Sequence, residues 1–160
     1  MSLPRPYGRG IDAEKLMKAE QLSIFLENRA GRLADVTHAL AEAGVSIRAL
    51  SLADTSDFGI LRLLVKEREK AKAVLKEKGF TFGCTAVVAV QVDDRPGGLD
   101  DVLQLVSKSG INVEYMYSLI QRTEPRAIMI FRFDKSDLAI SVLKEHGFTI
   151  VPSDALLSDE

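Results

Sequence analysis

The sequence predicts an α+β fold made of two copies of one strand–helix–strand–strand–helix–strand unit, each an antiparallel sheet with both helices on one face. Three observations carry this. "LENRAGRLADV" (26–36) and "VDDRPGGLDDV" (92–102) write an Asx residue, an Arg, a Gly and a Leu in the same order, with Gly31 and Gly97 spaced by 66 positions, as are Leu33 and Leu99. "KGFTF" (78–82) and "HGFTI" (146–150) match at a spacing of 68. Between these anchors the apolar period switches between 2 and 3.6 in the same order in both halves.

Each element has a local reason. "QLSIFLE" (21–27) alternates as a strand, with Leu22, Ile24 and Leu26 on one face and Phe25 on the other. After a loop at 28–31, Leu33, Val36, Leu40 and Ala43 stand at helical spacing, and Gly44 is placed to end that helix. "VSIRALSLADT" and "DFGILRLLVK" read as a strand pair turned at the polar "DTSD". In the first of these the apolar phase is odd through Ala49 and even at Leu50 and Leu52, a switch that a bulge produces. "EREKAKAVLKEKG" is a helix with Ala71, Val74 and Leu75 inward, and "FTFGCTAV" closes the unit as a strand.

The order then repeats. "VVAVQVD" is a strand, and "LDDVLQLVSKSG" a helix with Leu99, Val102, Leu103 and Val106 on one stripe. "INVEYMYSLIQR" and "RAIMIFRFD" pair around "TEP", "KSDLAISVLKEHG" is a helix, and "FTIVP" a last strand. Right-handed crossovers turn this order into the ferredoxin-like arrangement. The predicted units are 20–88 and 89–152, with 1–16 a flexible leader, Met17 an alternative start, and 153–160 a tail. "CTAVVAVQV" leaves no linker between the units, so the halves are expected to pack as one body.

"GILRLLV" and "AIMIFRF" are nearly continuous apolar strands, a pattern of sheets covered on both faces. Helices cover one face. The other repeat or a partner chain must cover the second, and a homodimer is expected on that ground.

Composition excludes several classes. With 46% hydrophobic and 28% charged residues the chain can bury a core and is not of the disordered type. A formal charge of -2 marks no nucleic-acid magnet. The single cysteine, Cys84, permits no internal disulfide and no CxxC pair, and its place in a strand suggests a small buried hydrophobe. No apolar run is long enough to span a bilayer, and "MSLPRPYGRG" lacks the apolar core of a secretory signal, so a cytoplasmic protein is expected. His38 and His146 have no neighbouring ligand at metal-site spacing, and no catalytic motif is present; neither a metal, a cofactor nor an enzymatic activity is expected.

The twinned loop is where chemistry concentrates. It stands where a strand ends and a helix begins, and the first N–H groups of a helix lack partners and carry partial positive charge. A carboxylate can bind there. Gly31 and Gly97 let the backbone approach a ligand or take positive φ, and the oxygens of Asn28 and Asp94 can accept from an ammonium group. Such a set suits a zwitterion, although a ligand-free Asx–Gly turn uses the same residues.

"ENRAGRLADVTHALAEAGVSI" and "DDRPGGLDDVLQLVSKSGINV" both resemble the opening of an ACT domain, a regulatory amino-acid-binding module with an Asx-x-x-Gly-x-Leu loop, a helix and a Gly-[Val/Ile]-Asn-[Ile/Val] second strand. The likeness covers about residues 20–152, and the chain is similar to stand-alone tandem-ACT proteins. It implies a non-catalytic sensor that binds a free amino acid where modules meet, with a client enzyme or regulator receiving the signal. It implies Asn28 and Gly31 with Ser46 in the first copy, and Asp94 and Gly97 with Asn112 in the second. The loop neighbours Ala30, Arg32 and Leu33, and Pro96, Gly98 and Leu99, complete the candidate set. Ser46 is shorter than the family's Asn, and Asp94 repels a carboxylate, so two equal sites are not expected. Tyr115 and Tyr117 share a strand face and are expected in core or interface packing.

Two other functions live on this fold. An RNA-binding sheet needs stacking aromatics that Phe25 and Phe58 do not provide, and an acylphosphatase cradle around Asn28, Arg29 and Arg32 needs a longer loop. A ligand-free scaffold made of ACT pairs is the main alternative to the sensor.

Overall fold

The computed structural model describes residues 16–120 and 126–158. Residues 1–15 of the predicted leader, the "TEP" turn and the last two residues of the tail lie outside the described residues. The elements run β1 (Ala19–Glu27), α1 (Arg32–Glu42), β2 (Ile47–Asp54), β3 (Phe58–Val65), α2 (Arg68–Glu77), β4 (Thr81–Asp93), α3 (Gly98–Lys108), β5 (Val113–Ser118), β6 (Arg126–Phe133), α4 (Ser136–Glu145) and α5 (Ser153–Leu156). This is the α+β, twice-repeated βαββαβ arrangement.

One sheet holds both modules, in the order β2-β3-β1-β4-β6-β5. The junction is β4, a 13-residue strand whose first half, Thr81–Val87, pairs antiparallel with β1 and whose second half, Val88–Asp93, pairs with β6. One strand thus closes module 1 and opens module 2, which is why no linker is needed. The predicted last strand "FTIVP" reduces to a bridge from Ile150 to Val90, flanked by Gln91 N–H donating to Thr149 O and Val151 N–H to Ala89 O, both at 2.9 Å.

Each module has its own helix-side core. Leu22, Ile24, Leu26, Leu61, Leu63 and Val65 meet Val36, Leu40, Ala71 and Leu75 in module 1. Val88, Val90, Val92, Phe131 and Phe133 meet Val102, Val106, Ala139 and Leu143 in module 2. Leu33, predicted on the buried stripe, is 38% exposed. It sits in the first helical turn, at the rim of the sheet.

A third core lies between the sheet faces that carry no helices. Ala19, Ala49, Leu64, Val87, Ala89, Tyr117, Ile128 and Ile130 form it, with Leu156 of α5 buried against them. The sheet curls until its two edge strands touch, Ala49 bridging Leu119 and Ile120 N–H donating to Arg48 O at 2.9 Å. The second face of the continuous apolar strands is therefore covered by the other repeat, and part of the predicted tail is a packed helix. Burying an aliphatic side chain such as Leu64 or Leu156 stabilises by about 1.5–3 kcal/mol.

A polar network crosses this core. Gln21, fully buried, accepts at Oε1 from the Tyr117 hydroxyl at 2.6 Å and donates from Nε2 to Tyr115 Oη at 2.8 Å and Ser23 Oγ at 3.0 Å. The Arg62 guanidinium lies 3.7 Å from the centre of the Tyr115 ring. Burial, with a smaller contribution from Tyr115, raises the Tyr117 pKa above that of a free phenol. The tyrosines expected in packing are thus the polar bond between modules.

Cys84, expected to be buried, is exposed. Among the described residues the first half of β4 has β1 on one side and no strand on the other, so this part of the strand is a sheet edge. Beside it Lys72 pairs with Glu20, whose carboxyl pKa is lowered by that hydrogen bond; the Lys72 pKa is raised by the same contact, and desolvation raises the Cys84 thiol.

Candidate functional site

Both loops have the predicted backbone. Gly31 (φ 90°) and Gly97 (φ 88°) occupy the left-handed region as N-caps of α1 and α3. In that region a β-carbon costs about 1–2 kcal/mol, which accounts for glycine at both places. The turns repeat bond for bond: Arg29 N–H donates to Glu27 O and Arg95 N–H to Asp93 O, each at 2.9 Å. No side chain caps either helix; the first helical N–H, of Arg32 or Gly98, turns to Arg29 O or Arg95 O, so the capacity for an external acceptor rests with the N–H groups that follow it.

The side chains around the loops differ. Asn28 lies under the β2–β3 turn, its Nδ2 at 3.4 Å from both Thr55 O and Ser56 O, which is the long limit for a hydrogen bond. Its backbone N–H donates to Asp57 O at 2.9 Å. Arg29 turns away to Glu27. Arg32 folds back over the Phe80 ring at 4.9 Å and donates to Asp35 at 3.2 Å. It forms one wall of a shallow groove of about 280 Å3 with Asp35, His38, Ala39, Glu42, Lys78 and Phe80. In module 2 the equivalent groove, about 190 Å3, is lined by Gln91, Asp93, Gly98, Asp101, Arg126, His146, Phe148 and neighbours. Asp94, Ala30 and Pro96 are exposed, while Leu99 packs against the module 2 core.

Ser46 and Asn112 do not meet the loops. Their backbones occupy twinned turns, Ser46 N–H donating to the Glu67 carboxylate at 2.7 Å and Asn112 N–H to that of Asp134 at 2.9 Å. Glu27 is opposite Phe58 and Ile47 is opposite Val65, so the Asn28 loop and Ser46 stand at opposite ends of β3, about 23 Å apart along the strand. Module 2 repeats this, with Asp93 opposite Arg126 and Val113 opposite Phe133. The loops themselves lie near opposite ends of β4, about 40 Å apart along it. The structure therefore brings each loop's own residues together and, within each module, sets the loop and the second-strand residue at opposite ends.

Sequence reasoning missed Gln21 and the acids Glu67 and Asp134. Gln21 shares the face opposite Leu22 and Ile24 with Ser23, Phe25 and Glu27, a mixed face that gives no sign of a buried polar residue. The two acids are ordinary surface charges until the turns they serve are known. Among the described residues no cluster of His, Cys, Asp and Glu is arranged to hold a metal, and no helix is long and apolar enough to cross a membrane.

Two βαββαβ modules sharing a strand, each with a glycine-capped loop between its first strand and helix, define a tandem of ACT modules. Residues 17–158 match the family model of the ACT domain pair, and the chain belongs to that family. The crystal structure of protein BT0572 from Bacteroides thetaiotaomicron is similar, with 39% identity and a TM-score of 0.83 over 89% of this chain and 97% of that one. The ligand-free regulatory subunit of aspartate kinase from Thermus thermophilus shares the fold at 19% identity and a TM-score of 0.57, over 81% of this chain and 92% of its own. The corresponding subunit from Thermus flavus does so at 19% and 0.52, with the same two coverages. No curated protein sequence matches the chain.

Proposed function

We propose that this protein is a non-catalytic sensor that binds a free amino acid at an interface between ACT modules and signals by a change in how the modules pack. The observation that carries the reading is the loop in which Gly31 holds the start of α1 at φ 90° with no side-chain cap, next to the Asn28 amide. Uncapped N–H groups at a helix start receive the ligand's carboxylate, and Asn28 Oδ1 accepts from its ammonium group. Because the loop and the second-strand residue of one module lie at opposite ends of it, a site that uses both takes its second-strand residue from another module, of this chain or of a second copy. Leu50, Leu52, Phe25 and Phe58, all more than 40% exposed, offer apolar surface for such a homodimer. The ligand would favour one packing of modules over another to the extent that it binds the two unequally, and a separate cytoplasmic enzyme or regulator would read the change.

Thermal-shift screening of the common amino acids tests this. A ligand at about 100 times its Kd adds about 2.7 kcal/mol of stability. A selective rise in Tm for one or a few amino acids supports the sensor; no rise with any of them favours the ligand-free scaffold, which the same exposed apolar surface would serve.

A further inference from the structure

We infer that the two loops have parted roles: the loop of module 2 is a locked structural turn, and the ligand is confined to the module 1 loop, one molecule per chain. The inference rests on the sensor reading and refines it. Four differences between the twinned loops carry it.

The first is steric. Gly98 is buried, and a β-carbon built on it would lie 2.0 Å from the carbonyl oxygen of Asp93. The start of α3 is thus pressed onto the end of β4. At the equivalent step in module 1 stands Arg32, which has a β-carbon, so there the end of β1 and the start of α1 must lie further apart. The hydrogen bonds agree: Gly98 N–H donates to Arg95 O at 3.0 Å, and Arg32 N–H to Arg29 O at 3.4 Å. The same N–H is engaged in both turns, and it is held more tightly in module 2.

The second difference is the donor count. Pro96 has no N–H, whereas Ala30 in the same place has one.

The third is the arginine over the loop. Asp35 and Asp101 are equivalent acids on the first turns of α1 and α3. In module 1 Asp35 is bonded by Arg32, leaving Arg29 to pair with Glu27. In module 2, where Gly98 replaces Arg32, Asp101 is bonded by Arg95 at 2.8 Å. The same guanidinium donates to Pro96 O at 3.1 Å and sits 3.5 Å from where a β-carbon of Gly97 would be. Arg95 therefore straps the mouth of its own loop. The fourth is charge: a carboxylate approaching module 2 meets Asp94, and one approaching module 1 meets neutral Asn28.

Isothermal titration of the full chain with the amino acid that gives the largest thermal shift, in the wild type and in Asn28→Ala, tests the inference. The expected result is one molecule per chain and an affinity loss of roughly tenfold or more in the variant. Two molecules per chain, or a variant that binds as the wild type does, overturns it. An arm without ligand keeps the lock testable if the screen is blank. In amide hydrogen exchange of the free protein Gly98 should exchange roughly tenfold or more slowly than Arg32, reflecting its shorter hydrogen bond and burial. Equal rates refute the lock, whereas a blank screen with a slow Gly98 amide counts against the sensor reading alone.

Discussion

Two loops with nearly the same backbone, φ 90° against φ 88° at their glycines, differ in where their arginines go. In module 1 Arg32 folds back onto Phe80 and Asp35, away from the loop; in module 2 glycine stands in its place and Arg95 lies across the loop. The lesson concerns duplication. Backbone geometry, fixed by glycine and the strand–helix order, is copied with the module, while the side chains around it diverge independently.

The sharpest way to break this comparison is Gly98→Ala. Its β-carbon has only the Asp93 carbonyl to displace, so stability should fall by about 3 kcal/mol in urea denaturation. Arg32→Ala, in the same place of module 1, should cost about 1 kcal/mol through its lost ring contact and ion pair. Equal losses would show that the loops are equally tight.

The joint between modules comes next. Tyr117→Phe strands the buried Gln21 Oε1 and should cost about 1–3 kcal/mol. It also has a pH signature. The folded-state pKa of Tyr117 is raised, so its contribution is complete below the unfolded value near 10 and is lost as pH rises above it. The slope approaches about 1.4 kcal/mol per pH unit. Denaturation from pH 9 to 11 should show that slope in the difference between wild type and variant; parallel curves would mean the phenol is solvated.

Smaller effects test the shared backbone. Gly31→Ala and Gly97→Ala should each lose about 1–2 kcal/mol, because both force alanine to positive φ, and a large disparity would contradict the twinned turns. Least of all, Lys72→Met should cost about 0.5 kcal/mol at neutral pH, since the pair with Glu20 is partly exposed. Glu20 has a lowered pKa, so its share fades as pH falls through the folded value; Lys72 has a raised pKa, so its share fades as pH climbs through its own. A salt titration should remove most of the difference.

Most of the fold was legible in the sequence because the period-2 and period-3.6 stretches and the glycine stops agree with one another at each step. The bulge was legible too, from the phase switch near Ala49, though the register shifts between Ile47 and Ala49 and its twin between Val113 and Tyr115 left no comparable mark. What failed depended on which edges meet. Cys84 reads as core until β4 is known to change partners at Val88, and "FTIVP" reads as a full strand until only Ile150 finds a bridge. The loops were legible as motifs. The lock was not, because it rests on a contact between Gly98 and a carbonyl five residues earlier and on the direction of Arg95.

A titration of the labelled full chain, followed by amide resonances in the presence of the amino acid that most raises Tm, addresses the central claim most directly. The account predicts large shifts and slowed exchange at Ala30, Gly31 and Leu33, with Gly97, Gly98 and Leu99 unmoved. Shifts centred on Gly97–Leu99, or none at Ala30–Leu33 while the ligand is bound, would contradict it.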